Sequence, residues 1–175
     1  MSDLWLDDLL NGSTPSPPTA PQDLPETPVV WVDADAMPRQ LRDVVLRAAD
    51  RVGVPVLFVA NIRLPIQDST LVRSIQVAAG PDVADDYIAD HARSGDLVIS
   101  QDIPLAARVV PMGVHVLQTS GRELDEASVQ EALAVRDLSE SLREAGQVTG
   151  GPAPFGPKQK QRFSNALDRW LTRSV

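Results

Sequence analysis

The chain has 175 residues, 43% of them hydrophobic, which suits one domain of ordinary size with a buried core plus an appendage. It contains no cysteine, so disulfides, thiolate metal sites and a cysteine nucleophile are excluded, and the available chemistry is that of oxygen ligands and two histidines. The net charge of −8 is unevenly spread: residues 1–28 carry five acids and no base, whereas Lys158, Lys160, Arg162, Arg169 and Arg173 face only Asp168 after residue 150, so a polyanionic partner would need that basic end or bound cations.

The N-terminal MSDLWLDDLL carries acids where a secretory signal needs a basic start, and no apolar run approaches the roughly 20 residues of a membrane span. The expected address is the cytoplasm, without membrane attachment. Leu4, Trp5, Leu6, Leu9 and Leu10 form a short apolar motif for a partner or a frayed helical stub. Asn11–Pro28 is proline-rich and poor in large apolar residues, so residues 1–27 read as a disordered acidic tail and residues 28–175 as a single domain.

From Pro28 onward strand and helix signals alternate, the pattern of a parallel sheet with crossover helices. Short aliphatic strands are predicted at Val29–Asp33, Val56–Asn61, Ser74–Ala78, Leu97–Ser100 and Val114–Leu117. Between the first two, Leu41, Val44, Val45, Ala48, Ala49 and Val52 recur at helical spacing, opened by Pro38 and closed by Gly53. Further helices are expected at Val83–Arg93, Pro104–Val110, Glu126–Ala145 and Pro157–Thr172, the last after the Gly/Pro-rich connector Thr149–Gly156. The fold class is α/β, with a central, mainly parallel sheet of about five strands.

Ligands of such sheets bind at the carboxyl ends of the strands, and three of the five ends carry suitable residues. The first ends in Asp33-Ala34-Asp35, whose carboxylates project to one side if the chain stays extended. The second ends at Asn61, and the fourth runs into Asp102. Asp85 and Asp86 occupy the first turn of the helix after the third strand, about 100° apart, so only one need face the strand ends. Carboxylates gathered this way repel, and a hard cation, Mg²⁺ or Mn²⁺, neutralises them economically. Each has a plainer role as well. Asp102 can cap the helix at Pro104, Asp85 or Asp86 can complement a helix dipole, and Asp35 can bind turn amides. His91 and His115 read as packed structural residues and are left out of the site.

The segments VDADAMP, VAN, AGPDVADDYIADHARSGDLVISQDIPLAARV and TGGPAPFGPKQKQRFSNALDR together resemble the YaiI/YqxD family of bacterial proteins, from about Val29 to Arg173. That resemblance implies the three-layer α/β/α fold of PIN-type nuclease domains. It also implies a Mg²⁺ or Mn²⁺ site in which Asp33 matches the first acid, Asp85 or Asp86 the second and Asp102 the third. The ligand set is accordingly taken as Asp33, Asp86 and Asp102, with Asp35 and Asp85 as further catalytic candidates and Asn61 beside them. Many family members place cysteine where this chain has Met37, so any thiol role there is absent.

In the last helix Phe163, Ala166, Leu167, Trp170 and Leu171 form a core-facing side. Lys158, Arg162, Arg169 and Arg173 fall within about 60° along its edge. Lys158, Lys160 and Arg162 are the candidate nucleic-acid contacts, against the alternative of a solvated face. The expected function is a divalent-metal-dependent phosphodiesterase, acting on RNA in preference to DNA. The alternatives are a non-catalytic metal- or nucleotide-binding regulatory domain, and a haloacid-dehalogenase-like phosphatase built on Asp33-Ala34-Asp35. The last normally needs a lysine in the body of the domain, and the only lysines are Lys158 and Lys160.

Overall fold

The computed structural model describes Leu24 and residues 28–35, 37–146 and 155–175. The leucine/tryptophan motif, the rest of the proline-rich tail and most of the Thr149–Gly156 connector lie outside these residues. Leu24 packs partly buried against the core.

Among the described residues, six strands form one sheet in the order β3-β2-β1-β4-β5-β6. They are β1 (Val30–Asp33), β2 (Val56–Ala60), β3 (Val72–Gln76), β4 (Leu97–Ile99), β5 (His115–Leu117) and β6 (Glu123–Leu124). The first five are parallel, and β6 turns back antiparallel to β5. Five α-helices of the described residues surround them: α1 (Arg39–Val52), α2 (Val83–His91), α3 (Ile103–Val109), α4 (Glu126–Glu144) and α5 (Pro157–Ser174). Among the described residues no helix is long and apolar enough to cross a membrane.

The central strands are aliphatic throughout because both of their faces are covered. Alternate residues feed two cores. Val30, Val32, Phe58, Ile99 and Leu117 meet α1 and α5, through Leu41, Val45, Phe163, Leu167 and Trp170. Val29, Trp31, Leu57, Val59 and Val98 meet α2 and α3, through Tyr87, Ile88, Leu105 and Val109. The result is a three-layer α/β/α arrangement: the mainly parallel sheet agrees with the alternating signals, and the layering with what the family resemblance implies. The third strand lies two residues earlier than Ser74–Ala78, and the sixth has only two residues, too few to carry a hydrophobic period.

One buried charge anchors the amino edge of the sheet. Asp96, 2% exposed, accepts from the Val29 amide, the Trp31 indole Nε1 and the Arg93 amide at 3.0, 3.0 and 2.9 Å. Three donors satisfy a carboxylate that would otherwise be costly to bury. At the carboxyl edge the chain leaves β1 toward β2 on one side, whereas β4 lies on the other. This is the switch point of the sheet.

Candidate metal centre

The side chain of Asp33 follows Trp31 by two residues and so turns to the α2/α3 face. Ser100, just past β4, is buried and reaches the same place. Its Oγ donates to Asp33 Oδ2 at 3.0 Å and accepts the Asp102 amide at 3.0 Å, tying the ends of the two central strands together. Asp102 is the N-cap of α3: its Oδ1 accepts from the Leu105 amide at 2.8 Å. One carboxylate oxygen on each aspartate is left uncommitted by these bonds.

The third contribution comes from the start of α2. Asp82 precedes the helix in the left-handed region, φ 64° and ψ 1°, a conformation that aspartate tolerates better than most residues. Its side chain makes no capping bond to α2. One carboxylate oxygen each from Asp82, Asp85 and Asp102 lie within 4.8 Å of one another. Asp82 and Asp85, spaced i and i+3 across the helix start, share one side of it.

The crowding has an electrostatic signature. The Asp85 carboxyl is pushed up to about 7, first by burial, then by the Asp102 charge and by a hydrogen bond with Asp102 that favours the protonated form, and further by Asp33 and Asp82. Asp33 is also held above the usual carboxylate range. Burial is the main cause and Asp35 and Asp102 add to it, against a lowering bond from Ser100. Without a cation, Asp85 is therefore still partly protonated near neutrality. An all-oxygen donor set that keeps a proton for want of positive charge fits a hard divalent cation.

The other sequence candidates are placed elsewhere. Asp86 is not among the three grouped carboxylates: it bonds Arg108 of α3 at 2.5 Å, while its neighbour Asp85, about 100° round the helix, meets Asp102. Asp35 does not stay extended with Asp33. It sits exposed in a turn, where both its oxygens accept the Asn61 amide, at 3.1 and 3.3 Å. Asn61 thus contributes its backbone, while its side chain is exposed to solvent. Lys158, Lys160 and Arg162 lie at the start of α5, in the opposite layer but at the carboxyl edge, where the β5–β6 turn meets the helix at Arg162. Among the described residues none of these three has an ion-pair partner.

A family model described as Uncharacterized BCR, YaiI/YqxD family matches residues 31–173. The chain belongs to this family. Among its relatives is a UPF0178 protein of Psychromonas ingrahamii, 52% identical over 145 residues, which cover 83% of this chain and 96% of the relative. A UPF0178 protein of Xanthomonas campestris is 46% identical over 161 residues, covering 92% and 96% of the two chains. That of Geobacter metallireducens is 51% identical over 146 residues, or 83% and 94%. No solved structure matches the chain.

Two residues within the YaiI/YqxD motifs join the cluster without standing out in the sequence. Asp82 reads there only as the residue before a helix, although its i, i+3 spacing to Asp85 across a helix start is a usable signal. Ser100, in VISQD, carries no signal of its own. Its role depends on the pairing of β1 with β4, which brings residues 67 apart in sequence together.

Proposed function

We propose that the protein is a Mg²⁺- or Mn²⁺-dependent phosphodiesterase of nucleic acid, RNA in preference to DNA, working at Asp33, Asp82, Asp85 and Asp102. The observation that carries this reading is the meeting of Asp82, Asp85 and Asp102 at the switch point of the sheet, near enough to Asp33 for its charge to act on Asp85, with Asp85 pushed up to about 7 by its surroundings. The resemblance to PIN-type nucleases, which use an acid after the first strand, one in a middle helix and one after the fourth strand, supports it. Asp33, Asp85 and Asp102, with Asp82 beside them, would hold the cation. Ser100 fixes the Asp33 carboxylate by its hydroxyl, and the Leu105 amide fixes Asp102, so both ligands are oriented before anything binds. When bound, the cation supplies charge neutralisation at the phosphodiester and orientation of the attacking water.

Calorimetric titration with Mn²⁺, followed by assay of the same samples on RNA and DNA oligonucleotides, tests the proposal. The wild type is expected to bind Mn²⁺ and cleave RNA, and Asp33→Asn to lose both. Binding without cleavage of either polymer would favour the regulatory-domain alternative, and no binding would remove the metal reading itself.

A further inference from the structure

We propose that Arg122, Arg162 and Arg169 form a phosphate-binding groove that holds the backbone of single-stranded RNA a short distance from the carboxylate cluster. This deepens the phosphodiesterase reading and rests on it for the identity of the polymer. The groove, about 400 Å³, is lined by these three arginines with Ser120, Gly121 and Asn165. Among the described residues no acid lines it. The nearest carboxylates compensate weakly: Glu131 lies 3.9 Å from Arg122 and Glu123 lies 3.8 Å from Arg169, both at the outer limit of ion pairing. Three guanidinium groups brought together with so little opposing charge favour an anion, and their planar forks match phosphate oxygens two at a time. Ser120 adds a hydroxyl. Asn165 accepts from Gln161 Nε2 through its carbonyl at 2.9 Å, which leaves its amide NH₂ as a donor.

The groove is built rather than incidental. Its floor is the turn between β5 and β6, pressed onto the backbone of α5 at Gly121. A Cβ there would lie 2.6 Å from the Arg162 carbonyl carbon and 2.7 Å from the Phe163 nitrogen, and the φ of +88° itself disfavours a side chain. This close approach sets Arg122 on the turn beside Arg162 and Arg169 on the helix. The turn leaves β5 at the same edge as Asp33 and Asp102, since β1, β4 and β5 are parallel neighbours. β5 lies two strand positions from β1, roughly 10 Å along the edge, with the groove on the α5 face and the cluster on the α2/α3 face, so a polynucleotide strand joining them passes over that edge. One extended polynucleotide can therefore cross the edge of the sheet with one phosphate in the groove and another at the cluster. The cluster repels such a polymer, and the groove offsets that repulsion without touching the cation.

The test is fluorescence anisotropy of a labelled single-stranded oligouridylate with the full chain, in EDTA, over a series of KCl concentrations. An Arg122→Gln/Arg162→Gln/Arg169→Gln variant is expected to bind about tenfold or more weakly. Its slope of log affinity against log salt should be shallower by about two, at roughly 0.7 for each phosphate that the arginines no longer neutralise. A control removing the same charge elsewhere, Arg47→Gln/Arg136→Gln/Arg143→Gln, should bind within about twofold of wild type. The corresponding Arg→Lys groove variant should fall between, because charge remains and the fork is lost. Unchanged melting of the variants shows that they fold. Competition with the oligodeoxyuridylate and with pyrophosphate separates an RNA site from a general phosphate site: equal displacement by pyrophosphate would overturn the polymer assignment. Wild-type binding by the groove variant, or an equal loss in the control, would overturn the groove. Mn²⁺ titration of the same proteins keeps the two readings apart, since the groove variant should bind Mn²⁺ normally. A wild type that binds RNA through the groove but no Mn²⁺ would refute the phosphodiesterase reading alone.

Discussion

Replacing Asp85 by asparagine tests the electrostatics of the cluster in the absence of any ligand. In the folded protein this carboxyl is pushed from its ordinary 3.8 up to about 7, so between these values the folded state holds a proton that the unfolded state has lost. The stability contributed by protonated Asp85 is therefore complete below about pH 4, falls as pH rises toward 7, and is gone above it. A gap of about three units would correspond to ~4 kcal/mol in a dry site, and the solvent reaching this open cleft reduces it to ~1–2 kcal/mol. Asparagine keeps a hydrogen bond to Asp102 without the charge. In EDTA at pH 8, Asp85→Asn should thus melt ~3–6 °C above the wild type, the gap should narrow as pH falls, and the two should coincide only below about pH 4. Added Mn²⁺ should raise the wild type and leave the variant behind. Equal destabilisation at both ends of this pH range would refute the reasoning, because it would mark Asp85 as a structural acceptor.

Three further outcomes follow from the geometry. Asp96→Ala strips the acceptor from two buried N–H donors and the part-buried Arg93 amide, and urea unfolding should show a loss of ~3–5 kcal/mol with Mn²⁺ binding by the remaining folded protein unchanged. Asp82→Gly relieves the left-handed backbone and one repelling charge, so the metal-free protein should gain ~0.5–1 kcal/mol in urea unfolding while calorimetry shows weaker Mn²⁺ binding; unchanged affinity would exclude Asp82 from the site. Gly121→Ala drives a methyl group into the backbone of α5 and should lower stability by ~2–4 kcal/mol, read by thermal melting.

Much of the fold is legible in the sequence because its signals are local and repeated. The aliphatic strands, the Pro38 and Gly53 punctuation of α1 and the apolar face of α5 each say where a segment is buried. The two-residue β6 is not legible, since it exists only as a partner of β5. The site is half legible. Asp33 and Asp102 follow strands and can be found from that position alone. Choosing between Asp85 and Asp86 needs the roll of α2, which Arg108 on α3 reveals by taking Asp86. The groove is less legible still. Arg162 stands out by charge, but Arg122 joins it only because Gly121 lets a distant turn rest on the helix.

The central claim is that a cation held by the inward-facing aspartates cleaves a phosphodiester. The pair Asp85→Asn and Asp86→Asn tests it most directly, since neighbouring residues of the same type differ only in the direction they face. The measurement is the single-turnover rate of RNA oligonucleotide cleavage in saturating Mn²⁺. The account predicts a loss of about a hundredfold or more for Asp85→Asn and a rate within about twofold of wild type for Asp86→Asn, whose partner is Arg108. Equal losses in the two variants, or an Asp85→Asn protein that cleaves like wild type, would contradict it.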